Sequence, residues 1–321
     1  NWLDAQVISA LADGMLLVLA PAPAWLSSLL VDGLVAGAGA VLSLLPVLII
    51  FFAVLGLLED IGYLTRSAYV MDTFMHWMGL HGRSFLPLFI GFGCNVPGVL
   101  GARIIDERRA RFLTILLTPL VPCTGRLAVL AFLAPAFFGK NAALATAGLV
   151  AGNILLLFLI GIIINRGVFK GPSSAFIMEM PLYHIPNART IGLYVWQNTW
   201  AFVKKAGTLI LLASAAVWLL AYLPNGDIQD SLLASFGRWL EPAGRWLGLG
   251  DWRLIVSLLS SFVAKENTIA TLGILFGSEP NLGLAEQIAQ ILSPAAALAF
   301  LVVQMTFVPC VATLAAIKQE T

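Results

Sequence analysis

Two stretches of the chain are nearly the same, TPLVPCTGRLAVLA at residues 118–131 and MTFVPCVATLAAIK at residues 305–318. In each stretch a cysteine, Cys123 or Cys310, directly follows a proline in the middle of an apolar run. Repetition of this kind indicates an internal duplication of one structural unit. The Pro-Cys pair also has a local effect, because proline removes a helix hydrogen bond and frees nearby carbonyl groups.

A second pair of motifs lies upstream of the first pair. GFGCNVP contains Cys94 and Asn95, and FVAKENT contains Glu266 and Asn267. Both motifs interrupt apolar segments with residues that disfavour a continuous helix. Thiolates favour transition metals, and carboxylate and amide oxygens are also metal ligands. The sequence therefore predicts a path for a metal cation, lined by these side chains and by the two Pro-Cys cysteines.

The composition indicates a helical membrane protein. The 321 residues are 60% hydrophobic and 11% charged, with a mean hydropathy of +0.92, whereas soluble domains carry about 25% charged residues. The net charge of +1 gives no reason to expect a nucleic-acid partner. About 20 uncharged residues suffice to cross a bilayer. Five such runs are predicted as spanning helices, the last containing one arginine: 33–58, 142–164, 206–223, 287–317 and 112–139.

Two further apolar segments, 84–105 and 254–276, do not resemble simple spans. The first contains several glycines and prolines, and the second is cut by Lys265, Glu266 and Asn267. Irregular backbone at membrane depth is tolerated only inside protein or beside a water-filled cavity. Both segments are therefore predicted to be broken helices or re-entrant hairpins.

The predicted fold class is all-α, a polytopic membrane protein built from two repeats. Its predicted parts are an interfacial segment, a first repeat, a linking helix with a cytoplasmic loop, and a second repeat: 1–32, 33–140, 141–199 and 200–321. Basic residues crowd 103–111 and the polar loop 165–205, which the positive-inside rule places in the cytoplasm. The repeats are inverted if the broken segments are re-entrant and parallel if those segments cross fully, and the sequence leaves both open.

Each candidate ligand also has a structural interpretation. A buried free cysteine packs as a small hydrophobic side chain. Glu266 could form an ion pair with Lys265, and Asn95 and Asn267 could cap the helices that follow the breaks. Against this, an ionisable residue at membrane depth is costly and marks a functional position by default.

The remaining charged residues are expected to lie around the path. Glu59 and Asp60 end the first predicted span, either as a pathway mouth that attracts cations or as a charged helix end near Arg66. Arg126 lies one turn after Cys123 and is expected to hold carbonyl groups or a carboxylate, because a cation beside a cation site is unfavourable. Three histidines are expected at the membrane interface: His76, His81 and His184.

Longer motifs follow one another in a fixed order: GLLEDIGYLTRSAYVMD, GLHGRSFLPLFIGFGCNVPGVLGARII, RRARFLTILLTPLVPC, MPLYHIPN, FVAKENTIATLG and FVPCVATLAAIKQET. In this order they resemble the membrane region of FeoB-type ferrous iron transporters of bacteria and archaea. The resemblance runs from about residue 26 to residue 321. It implies two Gate-type repeats in a multi-pass protein of the cytoplasmic membrane, with Fe²⁺ as the transported substrate.

The resemblance also implies roles for particular positions. The family's proposed iron-path cysteines fall on Cys94, Cys123 and Cys310. Its partners would be the lipid bilayer, a cytoplasmic GTP-binding domain on the same or a separate chain, small accessory Feo proteins and further copies in a homo-oligomer. That GTP-binding domain, which would use GTP and Mg²⁺, is expected to be absent from this chain. No phosphate loop, nucleophile elbow or HExxH motif occurs either, so the chain is not expected to be an enzyme.

The favoured function is transport of Fe²⁺, with ions held transiently by the three cysteines and Glu266. One alternative is transport of another divalent metal, Mn or Zn. Another is a Gate-type regulatory or scaffold membrane protein that moves no ion. A nucleoside is a further alternative substrate, but it would need aromatic and amide groups around the breaks, where this sequence has thiols.

Overall fold

The chain is helical throughout the residues that the computed structural model describes, which are 36–167, 185–223, 231–265, 267–276, 284–306 and 309–321. This confirms the all-α prediction. The α-helices of these ranges are, in order, α1 Ala36–Asp60, α2 Tyr63–Trp77, α3 Phe85–Gly93, α4 Asn95–Gly101, α5 Arg108–Leu117, α6 Thr124–Phe138, α7 Ala142–Gly167, α8 Ala188–Phe202, α9 Thr208–Tyr222, α10 Leu232–Trp246, α11 Trp252–Val263, α12 Asn267–Phe276, α13 Leu284–Ile291, α14 Pro294–Thr306 and α15 Val311–Glu320. The predicted interfacial segment 1–32 and Glu266 lie outside the described residues.

The chain divides into two compact units, neither of which is continuous in sequence. The cysteine unit comprises Phe51–Trp196 and Leu301–Thr321, and the second unit comprises Asn1–Ile50 and Gln197–Phe300. All three cysteines fall in the first of these, because the last helix, α15, joins the helices that carry the other two cysteines. The boundaries of the two sequence repeats stay a prediction.

In the cysteine unit, the predicted broken segment 84–105 is a helical hairpin. Its arms α3 and α4 are separated only by Cys94, which has extended backbone with φ −148° and ψ 130°. A Cβ added at Gly98 would lie 2.9 Å from the carbonyl oxygen of Pro87. Two collinear arms would hold these residues about 16 Å apart, so α4 folds back along α3, and glycine permits the close approach.

In the second unit, segment 254–276 repeats this arrangement. Ala264 ends α11 with φ −147° and ψ 135°, close to the backbone of Cys94. The hydroxyl of Thr271 donates to the hydroxyl of Ser260 at 2.8 Å across a separation of 11 residues, which is also the separation of Gly98 from Pro87. Both helices therefore break where the sequence predicts, at Cys94 and at Ala264 and Lys265.

Two spans predicted to be continuous are interrupted, so that part of the prediction is wrong. The run 112–139 divides between α5 and α6, with a 3₁₀ turn at Thr118–Leu120, and the run 287–317 divides among α13, α14 and α15. Proline has no N–H and excludes the preceding residue from helical backbone. In the first run Val121, which precedes Pro122, has extended backbone with φ −67° and ψ 131°. In the second run Pro294 is the first residue of α14, and Pro309 lies between α14 and α15.

The polar loop predicted over 165–205 is also corrected, because its described part contains α8. This helix lies against α1: a Cβ added at Gly56 would come within 3.0 Å of the ring of Tyr194. The backbone N–H of Asn187 donates to Asp60 Oδ2 at 2.7 Å. Tyr194 on α8 therefore packs against α1. The basic residues near it in the sequence had instead indicated a polar loop.

α7 exposes long apolar side chains and buries small and polar ones. The exposed fractions of Leu144, Leu155 and Ile163 are 77%, 62% and 66%, whereas Asn153 is 4% exposed and Gly161 is buried. Among the described residues, two helical stretches are long and apolar enough to cross a membrane by length and composition, Arg108–Gly167 and Pro294–Glu320. In the first stretch, only 17% of the apolar 18-residue part is buried inside the protein.

Candidate functional site

Each of the three cysteines stands directly before the first residue of a helix. Cys94 precedes α4, Cys123 precedes α6 and Cys310 precedes α15, and none of their side chains caps the helix that follows. All three are half-buried thiols outside any disulfide. Interrupted helices leave backbone groups without their usual intrahelical partners, and side chains supply hydrogen bonds to several carbonyl oxygens at these breaks.

Contacts between the breaks bring the cysteine-bearing turns together. The hydroxyl of Thr124, at the start of α6, donates to the carbonyl oxygen of Gly93 at 2.9 Å. The helix that follows Cys310, α15, packs against α4. The guanidinium of Arg126 interacts electrostatically with the thiols of Cys123 and Cys310. The three cysteines, predicted from separate motifs, thus share one region of the cysteine unit.

Arg126 supports the turn that leads into Cys123. Its Nη1 atom donates to the carbonyl oxygens of Pro119 at 2.8 Å and Val121 at 3.2 Å, which agrees with the expectation that it holds carbonyl groups. Its side chain is 0% exposed, so solvent does not screen the charge. A thiolate nearby would balance that charge, and binding of a cation to the thiolate would remove this balance.

Two buried asparagines hold the same turn. Asn95 Nδ2 donates to Pro119 O at 3.4 Å, and Asn153 Nδ2 donates to Leu120 O at 2.8 Å. Both side chains are 4% exposed, and neither Oδ1 atom has a hydrogen-bond partner among the described residues. These oxygens are therefore available to a ligand. Asn153 is absent from the predicted site, although a lone amide in the uncharged run 142–164 is a signal that could have identified it.

The capping role expected for Asn95 is wrong. Asn95 is the first residue of α4, Cys94 holds the capping position, and the Asn95 side chain reaches the turn before α6 instead. Asn267 is likewise the first residue of its helix, α12. Neighbouring Lys265 is 4% exposed, and its carbonyl oxygen accepts from the hydroxyl of Thr268 at 2.7 Å. The role of Glu266 stays a prediction.

Glu59 and Asp60 both contact the α8 region. Asp60 accepts the Asn187 N–H described above, and Glu59 forms a side-chain hydrogen bond with Tyr194. Burial raises the pKa of Glu59, the Tyr194 hydrogen bond opposes this rise, and the charge of Asp60 adds to it. Burial and the Glu59 charge raise the pKa of Tyr194 to about 12. These contacts give both carboxylates a structural role, and a role at the pathway mouth stays a prediction.

Two histidines form pairs with carboxylates away from the cysteines. His81 is 5% exposed and its Nε2 contacts Glu107 Oε2, whereas His76 Nδ1 lies 3.4 Å from Asp72 Oδ2. The placement of His76 and His81 at the membrane interface stays a prediction, and His184 lies outside the described residues. Within the described ranges, no three His, Cys, Asp or Glu side chains are arranged to hold a metal ion.

Comparison with known proteins agrees with the duplication and with the motifs. The Gate family model, described as nucleoside recognition, matches residues 41–137 and 203–321, and the model of the ferrous iron transport protein B C terminus matches residues 147–198. The Fe(2+) transporter FeoB of Staphylococcus aureus strain COL is 37% identical over 301 residues, which is 92% of this chain and 45% of the relative. The Fe(2+) transporter FeoB of Methanocaldococcus jannaschii is 36% identical over 309 residues, 92% of this chain and 46% of the relative.

A third relative is named as a fusion protein. It is the Fe(2+) transport protein A/Fe(2+) transporter FeoB fusion protein of Porphyromonas gingivalis, 33% identical over 373 residues, covering 100% of this chain and 43% of the relative. No solved structure matches the chain. The chain spans about half the length of the curated relatives it matches.

The helical fold, with two matched segments flanking a connecting region, defines a protein of the Gate class. The chain belongs to this family and, within it, to the FeoB-type ferrous iron transport proteins, as the resemblance of its motifs indicated.

Proposed function

We propose that the chain is the membrane part of a ferrous iron transporter, with Fe²⁺ as the transported substrate. The observation that supports this proposal is that contacts between the helix breaks bring three cysteine-bearing turns into one region of the cysteine unit. Thiolate ligands favour transition metals over Mg²⁺ and Ca²⁺. The relatives named above are Fe(2+) transporters, which favours iron over manganese or zinc.

The apolar surface of α7 supports a multi-pass position in the cytoplasmic membrane of a bacterium or archaeon. In water, exposed leucine and isoleucine on a helix that buries asparagine and glycine would be unfavourable. In lipid the same arrangement is normal, because small and polar residues mediate contacts between helices. The two hairpins support re-entrant segments and therefore inverted repeats, since each returns along its own path.

Conduction requires ligands that hold an ion without trapping it. Cys94, Cys123 and Cys310 would supply sulfur to a passing ion, and Asn95 Oδ1 would add an oxygen beside them. Glu266 and Asn267 would serve the corresponding break in the second unit. The fixed charge of Arg126 would limit how long a cation stays, because it repels an ion bound at Cys123 or Cys310.

The chain itself would act as a path and not as an enzyme. A cytoplasmic GTP-binding domain, on the same full-length protein or a separate chain, would supply GTP- and Mg²⁺-dependent control. A small accessory Feo protein is a plausible partner, because one relative is a fusion of transport protein A with FeoB. Assembly into a homo-oligomer completes the proposed partners.

Anaerobic uptake of Fe²⁺ into proteoliposomes tests the proposal, with and without a GTP-binding partner. We expect uptake above that of empty liposomes, and loss of most of it in Cys94→Ser. Thr306→Ser, at an exposed position on α14, is the control and should leave uptake unchanged. Uptake of Mn²⁺ or Zn²⁺ in preference to Fe²⁺ would support another divalent metal as substrate.

Parallel assays with labelled nucleosides test the substrate that the description of the Gate model suggests. Nucleoside uptake without Fe²⁺ uptake would overturn the iron proposal. Absence of uptake of any of these solutes, with and without the partner, would favour a regulatory or scaffold protein.

A further inference from the structure

An ion pair joins the far ends of two cysteine-bearing segments. Arg103 Nε lies 2.7 Å from Glu320 Oε2 and 2.9 Å from Oε1, and Nη2 lies 2.5 Å from Oε1, across a separation of 217 residues. The Glu320 side chain is 8% exposed and that of Arg103 is 58% exposed. Two-point contact of this kind fixes orientation as well as distance.

The two partners stand at matching distances from the cysteines. Arg103 lies in the 3₁₀ turn Ala102–Ile104 that continues α4, and Glu320 is the last residue of α15. From Cys94 to Arg103 and from Cys310 to Glu320 the helical path is about 14 Å at 1.5 Å per residue. Because α4 and α15 also pack against each other, the ion pair closes one end of a helix pair whose other end carries two thiols.

Removing Arg103 and removing Glu320 would have different effects on the residue that remains. Removal of Arg103 would leave a nearly buried carboxylate without its cation, which is strongly unfavourable unless the helices separate and admit water. Removal of Glu320 would leave a solvated guanidinium, which is tolerated. In either case the end of α15 loses its attachment to the end of α4.

We propose that Arg103 and Glu320 are positioning residues that act as a latch, holding α15 against α4 and thereby keeping the thiol of Cys310 shielded at the path. Opening of the latch lets α15 move and gives Cys310 access to the aqueous phase. The pair lies beside the basic segment 103–111, on the side assigned to the cytoplasm. The identity of the ion whose passage the latch would control rests on the proposed function. The shielding of the Cys310 thiol does not depend on it.

The rate of maleimide labelling of Cys310 tests the latch. The full chain is placed in liposomes with Cys94 and Cys123 replaced by alanine, so that one thiol reacts. We expect Arg103→Gln and Glu320→Gln each to raise the labelling rate about fivefold or more, a typical coupling effect. The double variant should label no faster than the faster single variant, because both changes open one latch. Arg103→Lys keeps a single charge contact and should label more slowly than Arg103→Gln.

Arg245→Gln provides the matched control, because Arg245 pairs with Glu241 at 2.7 Å four residues away on α10 and joins no second segment. It should leave labelling of Cys310 unchanged. Unchanged rates in both latch variants, effects that multiply in the double variant, or an equal effect of Arg245→Gln would overturn the proposal. If Glu320→Gln does not fold, the comparison of Arg103→Gln with Arg103→Lys decides the same question.

Fe²⁺ uptake by the same latch variants, with all cysteines present, separates this proposal from the proposed function. Uptake by the parent protein with unchanged labelling in the variants would overturn the latch alone. Faster labelling without Fe²⁺ uptake by the parent would overturn the iron substrate and leave the latch supported.

Discussion

At the scale of single residues, the cysteines occupy positions that helix stability does not explain. Cys94, Cys123 and Cys310 each hold the capping position of a helix without capping it through the side chain. Serine, threonine, aspartate or asparagine there stabilises a helix by about 1 kcal/mol relative to a poor cap. Three departures from the favoured residue types, each directly before a helix, favour the prediction that the thiol itself has a role.

This argument predicts opposite changes in stability and function for Cys94→Ser. The serine hydroxyl could accept a hydrogen bond from the first turn of α4, so we expect unchanged stability or a gain of up to about 1 kcal/mol. Fe²⁺ uptake should fall, because a hydroxyl is a much poorer soft-metal ligand than a thiolate. Thermal unfolding in detergent and uptake in liposomes measure the two effects. Reduced folding with unchanged uptake per folded molecule would instead support a packing role for Cys94.

Glu59 gives a pH-dependent prediction outside the predicted spans. Its folded-state pKa is raised above 4.5, chiefly by burial. The folded state therefore favours the protonated carboxyl, so this contribution to stability is present below pH 4.5 and is lost as pH rises through the raised pKa. The melting temperature of the parent protein should fall relative to that of Glu59→Gln over this window. Tyr194→Phe removes a hydrogen bond that lowers the Glu59 pKa, and it should move the fall to higher pH.

At the scale of elements, the tight hairpin of α3 and α4 depends on one close approach. A Cβ at Gly98 would meet Pro87 O and Thr118 Cγ2, each at 2.9 Å, whereas a Cβ at Gly101 would meet Ile90 Cδ1 at 3.6 Å. We expect Gly98→Ala to destabilise the protein by about 1–3 kcal/mol through overpacking. Gly101→Ala, in the same helix, should be neutral or stabilise it by up to about 1 kcal/mol. Chemical unfolding of both variants checks this, and equal effects would contradict the hairpin contact.

The sequence predicted the helix breaks better where glycine or charge marks them than where proline does. The breaks at Cys94 and at Ala264 and Lys265 agree with the prediction, because glycine or charge interrupts an apolar run at each of them. The length of the uncharged runs predicts continuous spans through the Pro-Cys turns. Run length does not report which residues lack a backbone N–H donor, and prolines therefore go unnoticed. Pro122 carries the needed signal, since proline disfavours helical backbone at the residue before it, and Val121 is extended with φ −67° and ψ 131°.

At the scale of the whole molecule, pairings between distant segments were beyond sequence reasoning. Nothing in local pattern connects Arg103 with Glu320, which lie 217 residues apart, or His81 with Glu107. Such contacts depend on how helices pack, and hydrophobic periodicity does not determine packing partners. The three cysteines can nevertheless be selected from the sequence, because duplication relates two of them and a helix break marks the third, and their role as ligands stays a prediction.

Glu266 distinguishes a transporter from a scaffold at the level of the whole protein. A carboxylate at membrane depth is unfavourable by several kcal/mol unless it is paired or hydrated. In a scaffold its use would be an ion pair with Lys265, which is 4% exposed. Glu266→Gln would then destabilise the protein, and Lys265→Met with Glu266→Gln would restore stability. In a transporter Glu266→Gln should fold normally and lose most Fe²⁺ uptake, and the double variant should not recover it. Melting temperature and Fe²⁺ flux of both variants decide between the ion-pair role and the ion-path role of Glu266, because restored stability with unimpaired flux would exclude Glu266 from the ion path.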